Sequence, residues 1–248
     1  MAPKPTPSFA VVIPAYNEAT TIRDIALRVC RFADLVVVVD DGSQDGTVQA
    51  LQGLPITILS NTSNVGKGES LRRGARYALD KGVNFVITLD GDGQHRPEDI
   101  PLLLDAQAVR PEAIVIAARL RDRRAAPALR RFANGFADFW ISWAAGHRVR
   151  DSQSGFRLYP AAVFRDSAAT TRGFTFESEI LIDASRSGIY TVSVPIDTIY
   201  NKQARPSHYR PATDTLRIVR MVAWKLLCRG LYPVGLARSL GLLGRAWH

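Results

Sequence analysis

The sequence lacks the hallmarks of several protein classes. Only two cysteines, Cys30 and Cys228, occur among its 248 residues, and both lie in apolar, helix-like stretches. A disulfide framework is therefore not expected, and a reduced cytoplasmic setting is the default expectation. No uninterrupted apolar run approaches the roughly 20 residues that a membrane-spanning helix needs. Residues 1–8 contain no apolar segment of the signal-peptide type and are expected to form a disordered tail.

Common nucleotide-binding fingerprints are also missing. No dinucleotide-binding glycine pattern occurs, and Gly66-Lys67-Gly68 lacks the spacing and the Ser/Thr of a P-loop. A haloacid-dehalogenase phosphotransferase expects an Asp-x-Asp motif after its first strand, and a sugar nucleotidyltransferase expects a glycine-rich loop there. This sequence instead has Pro14-Ala15-Tyr16-Asn17-Glu18 at that place, which disfavours both classes.

Acidic residues are in deficit. The chain has 23 Asp and Glu against 32 Lys and Arg, giving a formal net charge of +9 and a pI near 10.0. Such a balance indicates an anionic partner: nucleic acid, a phospholipid surface or a phosphorylated substrate. No recognised nucleic-acid-binding motif is present, so a basic nucleic-acid-binding module stays only as an alternative and no nucleic acid is predicted as a partner.

Strand-like and helix-like patterns alternate through the first half. Expected strands cover residues 9–13, 35–39, 56–59, 85–89 and 113–118, with helical spacing between them, for example at Ile22, Ile25, Ala26 and Val29. This alternation predicts an α/β fold with a doubly wound, mostly parallel sheet and a site beyond the carboxyl ends of the strands. We expect one catalytic domain over residues 9–210 and a basic amphipathic C-terminal extension over 211–248.

The sharpest chemical signal follows the fourth expected strand. There the sequence reads Asp90-Gly91-Asp92-Gly93-Gln94-His95. Two carboxylates one residue apart, with an amide oxygen close behind, suit a hard cation such as Mg²⁺, which prefers oxygen ligands. A polar turn capped by Asp is the alternative. The position at the end of a buried strand favours a metal site of Asp90, Asp92 and Gln94, with no need for His95.

Two further polar loops are expected at the same sheet edge. Val39-Asp40-Asp41-Gly42-Ser43-Gln44-Asp45-Gly46-Thr47 follows the second strand. Asp45 is expected to cap the next helix, whereas Asp40 or Asp41 binds a nucleobase or ribose. The loop after the first strand brings an aromatic ring, Tyr16, and a carboxylate, Glu18.

The motifs PAYNE, VDDGSQDGT, NVGKGESLRRG, DGDGQH and DSQSGFR stand in this order between Phe9 and Tyr200. In this series the sequence resembles the family 2 inverting glycosyltransferases with a glycosyltransferase-A fold. Within them it is most similar to the polyprenol-phosphate (dolichol-phosphate) mannosyltransferases. A processive polysaccharide synthase of this family would normally carry Gln-x-x-Arg-Trp, which is not found here.

The resemblance implies a nucleotide-sugar donor, a polyprenyl phosphate acceptor and Mg²⁺ or Mn²⁺ bound to the donor diphosphate. GDP-mannose is the favoured donor, with UDP-glucose and a non-lipid acceptor as alternatives. The implied nucleotide-sugar residues are Pro14, Tyr16, Glu18, Asp40, Asp41, Lys67, Asp90, Gly91 and, in a loop that closes over the donor, Lys202 or Arg205. Asp90, Asp92 and Gln94 are implied to hold the metal, and Asp151–Arg157 and Glu179 to face the acceptor.

The acceptor chemistry explains the arginines. A phosphate monoester is largely ionised at pH 7, because its second pKa is about 6, so it needs positioning by cations rather than a general base. Arg119, Arg130 and Arg131 are the candidates, since guanidinium groups suit phosphate oxygens. A solvated charge run is the alternative. Asp151 is either a base or a structural anchor, and Asp92, Asp151, Arg119 and Arg131 form the predicted catalytic set.

The remaining expectations concern the second half of the chain. Phe139, Trp140 and Trp143 are expected to be core residues, and His147 a surface residue. From Pro211 onward, basic residues such as Arg217, Arg220, Lys225, Arg229, Arg238 and Arg245 alternate with large apolar ones. This pattern is typical of a helix lying on a membrane surface. The alternatives are a helix packed on the core or contact with a separate membrane protein. We therefore expect a peripheral protein on the cytoplasmic face of a membrane.

Overall fold

The computed structural model of the chain describes residues 8–120, 128–166, 169, 171, 173, 175–197 and 211–243. Within them, the strands are β1 (Phe9–Ala15), β2 (Val36–Asp40), β3 (Thr57–Ser60), β4 (Phe85–Thr88), β5 (Ile114–Ala118), β6 (Arg157–Pro160) and β7 (Thr191–Pro195). The helices are α1 (Ile22–Val29), α2 (Thr47–Ala50), α3 (Lys67–Asp80), α4 (Ile100–Val109), α5 (Ala128–Ala145), α6 (Ala161–Asp166), α7 (Thr175–Arg186), α8 (Pro211–Leu227) and α9 (Pro233–Ser239). A short 3-10 turn, Pro97–Asp99, precedes α4.

The strands form one mostly parallel sheet in the order β3-β2-β1-β4-β6-β5-β7. Strand β6 is the exception, since it runs antiparallel to both β4 and β5. The expected α/β architecture is therefore confirmed. Because β1, β2 and β4 are parallel, their carboxyl ends, and the polar loops that follow them, meet at one edge of the sheet.

Helices cover both faces of the sheet. On one face, α1 and α4 pack their apolar residues, among them Ile22 and Leu103, against alternate strand residues such as Ile13. On the other face, α3, α5, α7 and α8 pack together over the remaining strand residues. Strand β2 is buried on both sides, which explains its continuous run of valines.

The C-terminal residues share this core. Helix α8 packs against α5 and α7 and buries Ile218, Val222 and Leu226. The opposite face of α8 is exposed. One side of the helix therefore packs on the core, as one alternative expected, and the other side is open to solvent, as an amphipathic surface helix requires. Among the described residues, no helix is long and apolar enough to cross a bilayer.

Several boundaries and burial predictions were wrong. Strand β6 was not predicted, β1 extends to Ala15 rather than ending at residue 13, and β4 ends at Thr88 rather than at residue 89. Phe139 is 40% exposed rather than part of the core. His147, expected at the surface, tucks against β7, where its Nε2 accepts the Thr191 N–H at 3.1 Å.

Candidate active site

The loops after β1 and β2 are held to each other by hydrogen bonds from backbone N–H groups to side-chain oxygens. The N–H of Asn17 donates to Ser43 Oγ and the N–H of Glu18 donates to Thr47 Oγ1, both at 2.8 Å. The N–H of Gln44 in turn donates to Asn17 Oδ1 at 2.8 Å. Tyr16 and Glu18, predicted to bind the nucleotide, therefore lie in a loop whose backbone is fixed against the Asp40–Thr47 segment. Pro14 is the second-to-last residue of β1, just before this loop.

The structure distinguishes Asp40 from Asp41. Asp41 accepts the Val65 N–H and the Asn61 side-chain amide through Oδ1, and the Gly66 N–H through Oδ2, at 2.8 to 3.0 Å. It therefore anchors the loop that leads into α3. Within the described part of the chain, the Asp40 carboxylate accepts a single, longer bond of 3.3 Å, from the Ser43 N–H. Of the two predicted nucleotide carboxylates, Asp40 has the oxygens better suited to a ligand.

The Asp90–Gln94 turn follows β4 and is tied to α1 by Thr21, whose hydroxyl donates to the Gly91 carbonyl at 2.6 Å. Asp92 Oδ1 accepts the Gln94 N–H at 3.0 Å. The expected Asp turn and the expected carboxylate pair are thus both present. Burial, and then the charge of Asp90, raise the pKa of the Asp92 carboxyl to about 6.

This raised pKa is a test of whether the residues suit a divalent cation. Two carboxylates in one partly buried turn repel each other, and a cation bound between them removes that repulsion. No group of three His, Cys, Asp or Glu side chains suited to a metal occurs in the described part of the chain. Asp90, Asp92 and Gln94 carry oxygen donors of the kind that Mg²⁺ prefers, and Mg²⁺ sites in proteins are often completed by substrate phosphates and water.

Lys67 is the cation at the centre of the described site. It is the first residue of α3, and its Nζ lies 2.6 Å from Asp90 Oδ1 and 2.7 Å from Glu177 Oε2 on α7. Burial by itself would raise the pKa of the Asp90 carboxyl. The positive charge of Lys67 outweighs this effect and holds that pKa below its usual value. Lys67, which was predicted to lie near the donor, thus contacts Asp90 of the acidic turn, and Glu177 lies on its other side.

Arg119 and Asp151 form the second charged unit. Asp151 Oδ2 accepts both the Arg119 backbone N–H and its Nε–H at 2.8 Å, and Oδ1 accepts Nη2 at 2.7 Å. Burial alone would raise the pKa of the Asp151 carboxyl, but Arg119 lowers it. Of the two expected roles for Asp151, this geometry supports the anchor rather than the base, since both oxygens are engaged.

The Asp151 loop is itself fixed from α5. Asp138 accepts the N–H groups of Asp151 and Ser152 at 3.0 and 2.8 Å. Asp151 has a positive φ of 53°, a conformation that non-glycine residues adopt only where surrounding contacts impose it. Asp138 was not predicted, because a single carboxylate in an aromatic helix carries no motif.

Two other residues were missed although their motif was noted. Gly155 lies against Asp90, so close that a Cβ there would meet the carboxylate at 2.3 Å. Arg157 is fully buried in β6 and donates to the carbonyls of Ser152, Ser154 and Glu177. Both stand in DSQSGFR, which the sequence interpretation assigned to the acceptor side without giving these two residues a role.

Three further sequence predictions have different outcomes. His95 is buried beside Phe156, and burial lowers the pKa of its imidazole to about 4, so the ring is neutral at pH 7. Arg131 is exposed in the first turn of α5. Glu179, implied to face the acceptor, accepts bonds from Thr171 and pairs with Lys225 at 3.1 Å. Lys202 and Arg205 lie outside the described residues, as does the side chain of Arg130.

The sheet order, the acidic turn after β4 and the fixed polar loops beside it agree with the glycosyltransferase-A fold that the motifs led us to expect. The model of "Glycosyl transferase family 2" matches residues 10–171, more than half of the chain, and the chain belongs to this family. The family and fold expected from the motifs are therefore confirmed.

Individual relatives refine this comparison. The undecaprenyl-phosphate mannosyltransferase of Micrococcus luteus is 30% identical over 258 residues, which cover 93% of this chain and 98% of that one. A UDP-N-acetylglucosamine–dolichyl-phosphate N-acetylglucosaminyltransferase of Methanococcus voltae is 26% identical over 77% of this chain and 86% of that one. These two relatives share a polyprenyl-phosphate acceptor but differ in the sugar.

A solved structure supports the fold. The glucosyl-3-phosphoglycerate synthase of Mycobacterium tuberculosis, crystallised with Mg²⁺ and uridine diphosphate, superposes with a TM-score of 0.63 at 22% identity. The match covers 90% of this chain and 79% of that one. At this identity the likeness establishes a shared fold.

Proposed function

We propose that this glycosyltransferase transfers a hexose from a nucleotide-sugar to a polyprenyl phosphate with inversion at the sugar carbon, GDP-mannose being the favoured donor. The observation that carries the proposal is the partly buried Asp90–Asp92 turn, with Lys67 against Asp90, at the sheet edge where the β1 and β2 loops meet. Such an edge places a nucleotide and its diphosphate side by side.

The donor end follows from the fixed loops. Pro14, Tyr16, Glu18 and Asp40 surround the nucleoside in this proposal, and Asp90, Asp92 and Gln94 hold Mg²⁺ or Mn²⁺. The cation stabilises negative charge on the departing diphosphate. Lys67 adds a fixed positive charge on the same side, and Gly91 lets the turn pass close to Ile22 and Glu18, which a Cβ there would meet at 3.2 and 3.6 Å.

The acceptor end is supported by the state of Asp151. Because both its oxygens bind Arg119, it is poorly placed to take a proton from a sugar hydroxyl. A phosphate monoester needs no such base, since it already carries negative oxygens at pH 7. In the proposal Asp151 orients the Arg119 guanidinium, which binds the acceptor phosphate together with Arg131.

The relatives support the acceptor more firmly than the sugar. The Micrococcus and Methanococcus enzymes are both named for transfer to a polyprenyl phosphate, one with mannose and one with N-acetylglucosamine. Mannose from GDP-mannose is proposed because the more fully covering relative uses mannose in its name. Glucose from UDP-glucose is the second donor to test.

The exposed face of α8 supports a membrane-surface location on the cytoplasmic side. Trp224 and Leu227 are 68% and 62% exposed, and Leu216 is 59% exposed near the exposed Arg217 and Arg220. Large apolar residues beside basic ones suit the boundary of an anionic leaflet. Lys225, predicted to join this basic face, instead points inward, 2.5 Å from Asp183. A separate membrane-protein partner is the alternative occupant of the same face.

The direct test is product formation by the purified chain from GDP-mannose, UDP-glucose or UDP-N-acetylglucosamine with a polyprenyl phosphate in detergent. We expect a polyprenyl-phosphate hexose to form with Mn²⁺ and not in excess chelator. Asp92→Ala should remove turnover without unfolding the protein. Full turnover in chelator would contradict the metal role, and an α-linked product from an α-linked donor would contradict inversion.

The arginines are tested by which substrate they affect. Arg119→Ala or Arg131→Ala is expected to raise the KM for the lipid phosphate more than that for the nucleotide-sugar, because each is assigned to the acceptor. Equal effects on both substrates would contradict that assignment.

A further inference from the structure

Lys67 bridges a proposed metal ligand and a carboxylate that has no place in the metal set. Its Nζ is 2.6 Å from Asp90 Oδ1 and 2.7 Å from Glu177 Oε2, and the Lys67 and Glu177 side chains are 15% and 9% exposed. Before a cation can be held by Asp90, one positive charge already pairs with it. Two cations that share one partly buried carboxylate repel each other.

We propose that Glu177 is the positioning residue that resolves this conflict: it receives the Lys67 ammonium when Asp90 takes up the divalent cation. In the absence of the cation, Lys67 neutralises Asp90 and keeps the acidic turn in place. When the cation is bound, Lys67 pairs with Glu177. This inference rests on the proposed metal site and adds to it a residue outside the ligand set.

The backbone at both ends of the Lys67–Glu177 pair is fixed, so the ammonium can turn without moving its helix. The N–H of Gly66, just before Lys67, donates to Asp41 at 2.9 Å. Gly68, just after it, lies so close to α7 that a Cβ there would meet Phe176 Cβ at 2.6 Å. The first turns of α3 and α7 are thus locked together.

Glu177 also has the acceptor capacity that the exchange needs. Its backbone carbonyl accepts Arg157 Nη1 at 2.6 Å, which holds the first turn of α7 in place. Its Oε1 is buried and has no hydrogen-bond partner among the described residues. Since an ammonium group carries three N–H donors, Lys67 can give a second bond to this oxygen when it leaves Asp90.

The test measures the Kd for Mn²⁺ alone, by the loss of the free Mn²⁺ electron-spin signal, with the full chain and no nucleotide. Glu177→Gln is expected to weaken Mn²⁺ binding about tenfold to a hundredfold, the range of one charge-assisted hydrogen bond, because Lys67 then stays on Asp90. Lys67→Met is expected to bind Mn²⁺ at least as tightly as the wild type.

The double variant Lys67→Met/Glu177→Gln distinguishes an effect of Glu177 through Lys67 from a direct electrostatic effect of Glu177 on the cation. If Glu177 acts through Lys67, Glu177→Gln in the Lys67→Met background changes the Kd by less than about twofold, since the coupled residue is gone. Equal weakening in both backgrounds would show that the Glu177 charge acts on the cation directly, and would overturn the proposal. No weakening by Glu177→Gln in the wild-type background would overturn it as well.

Controls distinguish this failure from failure of the metal site. Asp92→Ala should abolish the Mn²⁺ binding that the wild type shows; if it does not, the proposed metal site is wrong and the exchange falls with it. Glu177→Asp keeps the charge with a shorter side chain and should restore part of the lost affinity. Thermal melting curves for all variants confirm that each is folded at the temperature of the titration.

Discussion

A methyl group at position 155 should disable the metal turn directly. The Gly155 carbonyl accepts the Thr88 hydroxyl at 2.8 Å, which pins the backbone to β4. In Gly155→Ala the new Cβ would stand 2.3 Å from Asp90 Oδ2. To regain an ordinary contact of 3.4 Å, the carboxylate must withdraw by about 1 Å, a misplacement that costs on the order of a hundredfold in rate.

The matched control is a second overpacked glycine, one whose added Cβ would meet core valines rather than the Asp90 carboxylate. Gly74→Ala on α3 would bring a Cβ to 2.4 Å from Val12 and 2.9 Å from Val39 in the core. Both variants should lose about 1–3 kcal/mol of stability, measured by denaturant unfolding. Only Gly155→Ala should also weaken Mn²⁺ binding and lower kcat at a temperature where both are folded. Equal Mn²⁺ affinity in the two variants would refute the reasoning.

Three further perturbations test other parts of the molecule. Asp138→Asn keeps one acceptor for two N–H groups that the carboxylate binds. Because Asp138 positions Asp151 and, through it, Arg119, we expect the KM for the lipid phosphate to rise more than the KM for the nucleotide-sugar in steady-state assays; equal changes would contradict this role. His147 is a half-buried imidazole, and burial lowers its pKa to about 4, so it is neutral at pH 7. Unfolded chains bind its proton below pH 6.5, so its contribution, about 3 kcal/mol, is present above pH 6.5 and lost as the pH falls toward 4. His147→Gln should flatten the fall in unfolding free energy over that range, and an unchanged slope would contradict the assignment. Lys225→Met removes the cation that the buried acids Glu179 and Asp183 share, although Asp183 keeps a longer contact of 3.7 Å with Arg186. It should cost about 3 kcal/mol in denaturant unfolding. The exposed Arg220→Met should cost less than about 0.5 kcal/mol.

The part of the fold that the sequence predicts is the part governed by local pattern. Strands β1, β2, β4 and β5 are continuous apolar runs because helices cover both faces of the sheet. The four residues predicted to share one face of α1 are all buried. Since parallel strands must end together, the polar loops that follow them had to meet, and this is why the Asp90 turn could be placed in advance.

Strand β6 shows where local pattern fails. Its first residue is Arg157, whose charge disfavours a central strand in any reading of hydropathy. The arginine is buried because its donors find backbone carbonyls of the Asp151 loop and of α7, partners that only the assembled fold provides. Glu177 was missed for the same reason, because its partner Lys67 lies 110 positions away in the sequence.

The burial of two residues was predicted wrongly: Phe139 was expected in the core and His147 at the surface. Phe139, predicted to be a core residue, is 40% exposed because the helices that pack on α5, namely α7, α8 and α9, leave its ring partly uncovered. His147 is half-buried because the chain passes from α5 back to β7, where the imidazole ring contacts the Thr191 hydroxyl. Both outcomes depend on which helices dock beside α5, and helical spacing alone cannot decide that.

The same docking decides how membrane attachment of α8 should be tested. Removing residues from Pro211 onward would strip Lys225 from two carboxylates that are each 8% exposed, and the loss of binding would then report unfolding as much as lost attachment. Substitution on the outward face avoids this, since Trp224 is 68% exposed and adjoins Lys225 without sharing its contacts. Trp224→Ala is expected to weaken binding to anionic liposomes about tenfold, from the apolar area no longer inserted, while Tm stays within about 2 °C. A Trp224→Ala protein that floats with liposomes as fully as the wild type would exclude this face as the attachment surface.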